Sequence, residues 1–353
     1  MTQAKIVKVD PIHPKESFLI EAANIIKKGG LVIIPTDTVY GIAVNMLDEK
    51  AVSRLSELKG RPKDKPFSLL IADKSKIEDF AMKIPVAAYK LMDKFWPGPL
   101  TLVLQSSKSG TIGIRMPDEK IALSVITHAQ VPVACPSANI SGSPAPKTFQ
   151  DAIKDLEGKV DFAIDSGPTR LQVESSVVDL SKGELKISRE SALTKEEIEK
   201  VVNTKQILFI CTGNSCRSVM AEAMLKKILK EKNKRNIEVS SAGIMMLAGI
   251  EVSSGTKEVL GKEGIDVSGH YSRRLTKDMA HKSDLILVME RMHEEAVLKI
   301  APDVKNRLFL LKEFAKIDDS DLNIPDPIGR SPEFYEKVGA VIKEAVERVS
   351  NLI

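Results

Sequence analysis

Aromatic side chains are scarce in this chain of 353 residues: they make up 4%, with a single Trp, so its core has to be built mostly from aliphatics. Cysteine is rarer still, at positions 135, 211 and 216 only. An odd count in so long a chain argues against a disulfide scaffold and for a reducing compartment, the cytoplasm, with thiols left for chemistry. No apolar run approaches the ~18 residues of a membrane span, and the opening MTQAKIVKVDPIHPKE lacks the apolar core of a signal peptide, so no membrane partner is expected. Charge of one sign is missing too. The 52 Lys and Arg against 48 Asp and Glu leave +4, shared evenly between the two halves, and neither half is a basic arm. There is no internal repeat and no low-complexity segment.

What is present is an ordinary globular mix, 43% hydrophobic and 28% charged, long enough for about two domains at ~150 residues each. Short β-branched runs alternate with longer amphipathic stretches, the α/β signature. In a first part, 1–203, LVIIP (31–35), LTLVLQ (100–105), IGIRM (112–116), VPVAC (131–135), DFAID (161–165) and SSVVDL (175–180) read as strands. A helix over 17–28 closes on Gly29-Gly30, and a polar helix over 193–203 ends the part. A second part, 204–353, runs KQILFI (205–210), a helix over 219–232, IEVSSAG (237–243), a helix near 253–263, DLILVM (284–289) and a closing helix from Pro332. That alternation suffices for one doubly wound parallel sheet.

Between the strand 205–210 and the helix that follows lies Cys211-Thr212-Gly213-Asn214-Ser215-Cys216-Arg217-Ser218. This spacing lets the backbone curl around a tetrahedral oxyanion, with its N–H groups and the helix N-terminus turned inward. In such a field Cys211 is expected to be ionised near neutral pH. Arg217 can fork two phosphate oxygens, Ser218 can donate to the thiolate, and Gly213 and Asn214 tolerate the positive φ of a tight loop. Asp326, in IPDPIG, is a carboxylic acid on a Pro-stiffened loop and can supply a proton to a leaving group.

ILFICTGNSCRSVMAEAM, the SAG at 241–243, RRLTKDMAHKSDLILVM and PDPIGRS make nearly all of 205–353 resemble the low-molecular-weight protein-tyrosine phosphatase family. The resemblance implies Cys211 as nucleophile, Arg217 as phosphate clamp, Asp326 as general acid, and Thr212, Gly213, Asn214, Ser215, Cys216 and Ser218 as loop support, with no cofactor and no metal. Cys216 could also trap Cys211 as a reversible disulfide. Ser215 replaces the bulky aliphatic of tyrosine-directed members, and Ile328-Gly329 offers no ring beside the Asp-Pro. The small hydroxyl at 215 and the RRLTKDM segment look closer to the bacterial protein-arginine phosphatases. The substrate implied is a phosphorylated protein, on arginine or tyrosine.

The first part holds a second polar constellation: PTDTVYG (35–41), KGRPKDKPFSLLI (59–71), WPGPLTLVL (96–104), IRMPD (114–118), CPSANISGSPAP (135–146) and VESSVV (173–178). Lys59 and Arg61 alternate on what reads as an extended segment, so both can face a polyphosphate, and Ser137 and Asn139 repeat the spacing opposite. In this order the fragments resemble the YrdC-like threonylcarbamoyl-AMP synthase family over about 5–195, which implies a cavity on a twisted, mixed sheet. The implied reaction joins L-threonine, bicarbonate and ATP, with Mg2+, and feeds the tRNA-modification machinery acting on adenosine 37. The resemblance assigns Lys59, Arg61, Ser137 and Asn139 to ATP, with Thr111 and Arg189 nearby. It gives Thr36, Ser68, Arg115, Cys135 and Ser175 to threonine. Cys135 stands where Ala is usual, and ISRES (187–191) replaces an R-P-G turn. Two rival readings are an RNA-binding module without synthesis for the first part and a non-catalytic phospho-residue binder for the second.

Overall fold

The computed structural model describes residues 4–60, 67–245 and 248–353. The chain divides into two compact units, Met1–Val201 and Val202–Ile353. Among the described residues no helix is long and apolar enough to cross a membrane.

The first unit is built on ten strands: β1 (Lys5–Lys8), β2 (Val32–Ile34), β3 (Gly41–Asn45), β4 (Leu69–Leu70), β5 (Leu100–Gln105), β6 (Thr111–Arg115), β7 (Val133–Ala134), β8 (Phe162–Asp165), β9 (Ser176–Asp179) and β10 (Lys186–Arg189). They pair in the order β1-β8-β2-β3-β7-β4-β6-β5-β9-β10. Pairing is mixed: β1 and β2 run parallel to β8, whereas β3 is antiparallel to β2 and β7. Alternation along β2 explains the two packed faces. Val32 and Ile34 join Leu19, Ile26 and Val125 on one side, and Leu31 and Ile33 join Leu55, Phe149 and Leu156 on the other.

Two junctions shape the mouth of this sheet. The bridge between Gly41 and Ser137, with Ala138 N–H donating to the Tyr40 carbonyl at 2.8 Å, ties the segment 35–41 to the segment 135–139. The helix Glu49–Lys59 ends on Gly60 in the left-handed region (φ 59°), a position glycine adopts without a Cβ penalty. Lys59 is therefore the last residue of a helix. This corrects the expectation of an extended segment.

The second unit carries β11 (Lys205–Cys211), β12 (Ile237–Gly243), β13 (Leu285–Val288) and β14 (Leu308–Leu310), all parallel, in the order β12-β11-β13-β14. Ile207, Phe209 and Cys211 pack under the helices Arg217–Glu231 and Pro332–Leu352, while Leu208 and Ile210 face the opposite layer. Because β12 and β13 flank β11 on either side, the chain leaves the sheet in opposite directions there. A crevice opens at that point, at the carboxyl end of β11, where Cys211 stands.

Candidate active sites

At the end of β11 the loop is held from below by the end of β12. A Cβ on Gly243 would come within 2.7 Å of the Thr212 carbonyl oxygen and 3.0 Å of the Asn214 nitrogen, so only glycine lets the loop settle there. Asn214 takes φ 53° and is fully enclosed. Its side-chain amide donates to Ser218 Oγ (3.0 Å) and Ser241 Oγ (2.8 Å), and its backbone N–H donates to Cys211 Sγ at 3.3 Å. Ser218 Oγ lies 3.0 Å from the same sulfur. Cys216 turns away from this cradle toward Ser253 Oγ, 3.1 Å distant, and both cysteines are free. Ser215 sits beside it and uses its carbonyl to accept the Ser253 N–H. Gly213 has room around its Cβ position, so its role is not steric.

Arg217 is 1% exposed, yet three elements converge on it. Nη1 meets Glu290 at 2.6 Å and the Ile324 carbonyl at 2.8 Å, and Nη2 meets Thr212 Oγ1 at 3.1 Å and the Asp326 carboxylate. Nε is buried with no acceptor among the described residues, a donor left over. Behind Thr212, His293 places Nε2 at 2.9 Å from Oγ1, and its Nδ1 accepts the Glu290 N–H at 3.0 Å. Burial, then the Arg217 charge, push the His293 ring down to about 4 from 6.5.

Burial pushes the Cys211 thiol up, against the Ser218 hydroxyl, Arg217 and the Asn214 amide, which pull it down. Burial therefore opposes the ionised thiol expected for the resting loop. The sulfur is nearly inaccessible to water, and the guanidinium that would favour a thiolate is matched by two carboxylates. Glu290 and His293 were missed by the sequence reading. The signal available was positional: they follow β13, whose carboxyl end opens on the same crevice.

In the first unit, a cavity of about 200 Å³ is lined by Thr36, Thr38, Ser68, Arg115, Cys135, Ser137, Ser175 and Arg189, among others. Arg115 is its anchor. Nε donates to the Gly98 carbonyl (3.0 Å), Nη1 to Thr38 Oγ1 (2.6 Å), and Nη2 pairs with the fully buried Asp37. Burial pulls this guanidinium below its ordinary value, with Asp37 opposing. Thr36 closes a tight turn, donating to the Val39 carbonyl at 2.7 Å. Ser175 Oγ bonds Thr101 Oγ1 at 2.8 Å, and Arg189 holds Ser175 through its carbonyl (2.8 Å) while pairing with Glu174. Arg189 thus stands beside the Ser175 end of the cavity. Desolvation pushes the Cys135 thiol up to about 12, so it is a neutral wall and not a nucleophile.

Lys59 and Asn139 form a group next to Ser137. The ammonium donates to the carbonyls of Ser137 (2.5 Å) and Asn139 (2.8 Å), and Ser137 Oγ donates to Asn139 Oδ1 (2.6 Å). Arg61 lies outside the described residues. Thr111 opens β6 opposite Gln105, exposed, four residues from Arg115 on the same strand. A larger groove of about 930 Å³ in the second unit runs between the helix Arg217–Glu231 and 264–270 and is lined by none of residues 211–218.

A mixed ten-stranded sheet bearing this polar cavity, and a parallel sheet with a Cys–Arg loop at its switch point, define two separate protein classes. The Sua5–YciO–YrdC family model, described as telomere recombination, matches residues 24–191, and the low molecular weight phosphotyrosine protein phosphatase model matches 206–352. The chain belongs to both families, one in each unit. It is 43% identical over 212 residues to a threonylcarbamoyl-AMP synthase of Pyrococcus abyssi, covering 58% of this chain and 62% of that one. It is 36% identical over 139 residues to a low molecular weight protein-tyrosine-phosphatase of Klebsiella pneumoniae, covering 39% of this chain and 90% of that one. A solved Pyrococcus abyssi Sua5 complexed with L-threonine aligns at a TM-score of 0.54 and 33% identity over 68% of this chain and 84% of that one. The chain therefore spans about three fifths of the length of the archaeal synthase.

Proposed function

We propose that the chain carries two enzymes. The first, over about 1–203, converts L-threonine, bicarbonate and ATP into threonylcarbamoyl-AMP, pyrophosphate and water. The second, over 204–353, hydrolyses phosphorylated protein side chains through Cys211 without a cofactor.

The buried Arg115 supports the first reading. Its three bonds to Gly98, Thr38 and Asp37 fix the guanidinium and leave two of its five N–H groups for a carboxylate. Thr36, Ser68, Cys135 and Ser175 complete a small polar pocket that suits threonine. The amine of threonine takes up bicarbonate as a carbamate, and a carbamate oxygen attacks the α-phosphorus while pyrophosphate leaves. Positioning and charge neutralisation suffice for this, and no side-chain nucleophile is needed. Lys59, Ser137 and Asn139, with Arg61, Thr111 and Arg189, would hold the nucleotide. Mg2+ would be carried in on the ATP phosphates. The product would pass to the machinery that modifies adenosine 37 of tRNA. The test is pyrophosphate release that needs both threonine and bicarbonate. RNA binding without that release would replace this reading with an RNA-binding module.

The leftover Nε of Arg217 carries the second reading, because a buried guanidinium donor with no acceptor fits an oxyanion seated in the loop. As the oxyanion displaces the Asp326 carboxylate from Arg217, Cys211 passes its thiol proton to that carboxylate and the thiolate attacks phosphorus. The bond to the leaving atom breaks as a cysteinyl phosphate forms, and the departing atom takes the proton from Asp326. Water then cleaves the intermediate, with Ser218 donating to the leaving sulfur. Ser215 is small and Ile328 is 57% exposed, so a phosphotyrosine ring meets no apolar wall there, which favours phosphoarginine. The ratio of kcat/KM for phosphoarginine and phosphotyrosine peptides, in the parent and in Ser215→Ile, tests the preference. It should favour phosphoarginine in the parent and swing toward phosphotyrosine in the variant. Phosphate binding with no turnover of an aryl phosphate would leave a binder only.

A further inference from the structure

The His293 ring is wholly buried and stands ~80 residues along the chain from the loop. Its two nitrogens are nonetheless both engaged. Nδ1 accepts the Glu290 N–H at 3.0 Å, so in a neutral ring the hydrogen sits on Nε2. Nε2–H points at Thr212 Oγ1, 2.9 Å away, and donates to it. The same hydroxyl oxygen accepts from Arg217 Nη2 at 3.1 Å. The line from ring to hydroxyl to guanidinium is therefore directional: two donors share one acceptor oxygen, and the ring is oriented by the Glu290 backbone.

We propose that His293 is a positioning residue for the phosphate clamp, fixing Thr212 so that its hydroxyl holds Arg217 Nη2 and leaves Nε facing the loop. Glu290 supports the same arrangement from two sides, through its backbone on the ring and its carboxylate on Nη1. Burial keeps the ring neutral at physiological pH, which preserves the single Nε2 hydrogen this needs. This deepens the phosphatase reading and rests on Arg217 as the oxyanion site.

The experiment measures the Kd for inorganic phosphate by calorimetry on the full chain, because binding needs Arg217 but no turnover. His293→Leu removes the donor, His293→Gln keeps an N–H near the place of Nε2, and Thr212→Val removes the shared acceptor. Loss of one hydrogen bond that orients a charged group should weaken phosphate about tenfold in His293→Leu. The Gln variant should recover most of that loss, and Thr212→Val should lose as much as His293→Leu. The double variant, His293→Leu with Thr212→Val, should lose no more than either single one. Equal phosphate affinity in the parent and Thr212→Val, or losses that multiply in the double variant, would overturn the proposal. If His293→Leu does not fold, Thr212→Val and His293→Gln still decide it. A parent that binds phosphate without hydrolysing p-nitrophenyl phosphate would sink the enzyme reading and leave this one standing. A parent that binds no phosphate would sink both.

Discussion

Gly41 and Cys135 are packed so closely that each limits what the other can be. A Cβ on Gly41 would sit 2.4 Å from Cys135 Sγ and 3.2 Å from the Pro136 carbonyl oxygen, where ordinary contact begins at 3.4 Å. Gly41 is not among the residues with positive φ, so alanine adds crowding there without backbone strain. The sulfur would have to retreat by about 1 Å inside a lined cavity, an overpacking that costs ~1–3 kcal/mol. Cys135→Ala removes the obstacle, and Gly41→Ala in that background meets only the carbonyl, which needs to give by a few tenths of an ångström. The two substitutions should couple by ~1–2 kcal/mol, the double variant being more stable than the sum of the singles predicts. For a unit of this size each kcal/mol moves the melting temperature by ~2–4 °C. Calorimetry of the parent, the two single variants and the double variant should therefore show a transition that Gly41→Ala lowers and Cys135→Ala largely restores. The same cycle read as threonine affinity should move in step, since both positions line the cavity. Additive melting shifts would refute the packing argument.

Other expectations concern single residues. Lys59→Ala leaves the Ser137 and Asn139 carbonyls without their ammonium and should cut pyrophosphate release by roughly 30- to 1000-fold, with aryl phosphate hydrolysis unchanged. A near-normal pyrophosphate yield would remove Lys59 from the site. Cys211→Ser should abolish hydrolysis, whereas Asp326→Ala should slow poor leaving groups far more than p-nitrophenol; equal losses would cost Asp326 its role. His293, depressed to about 4 when folded and 6.5 when not, binds its proton only in the unfolded chain between those values. Stability of the second unit should therefore fall as pH drops from 6.5 to about 4, by up to ~3 kcal/mol. The stability gap between parent and His293→Gln should narrow over that range, and a pH-independent gap would contradict the shift.

Much of the fold could be read from local pattern, because β11 and β13 are runs whose hydrophobicity matches their burial. β4, of two residues, and the edge strand β10 carry too little periodicity to be seen alone; they exist because neighbouring strands supply their partners. The phosphate loop was legible because Cys211 to Ser218 are consecutive, and chemistry confined to one turn leaves its mark in spacing. Glu290, His293 and Asp37 act through tertiary contacts, which no spacing records. Lys59 was misplaced for a local reason. The pattern SELKG holds a helix stop at Gly60, and that stop overrides the alternation of cations. The burial that opposes ionisation of Cys211 comes from helices packed over β11, which leave no mark in the spacing of the loop.

Those two carboxylates give the resting loop a built-in counter-ion. An arriving monoanion such as chloride can only trade one negative charge for another at Arg217, and gains little by evicting Asp326. A doubly charged oxyanion gains a full extra charge in a dry setting where charges interact strongly. Valence thus becomes an entry criterion, enforced before any shape is read.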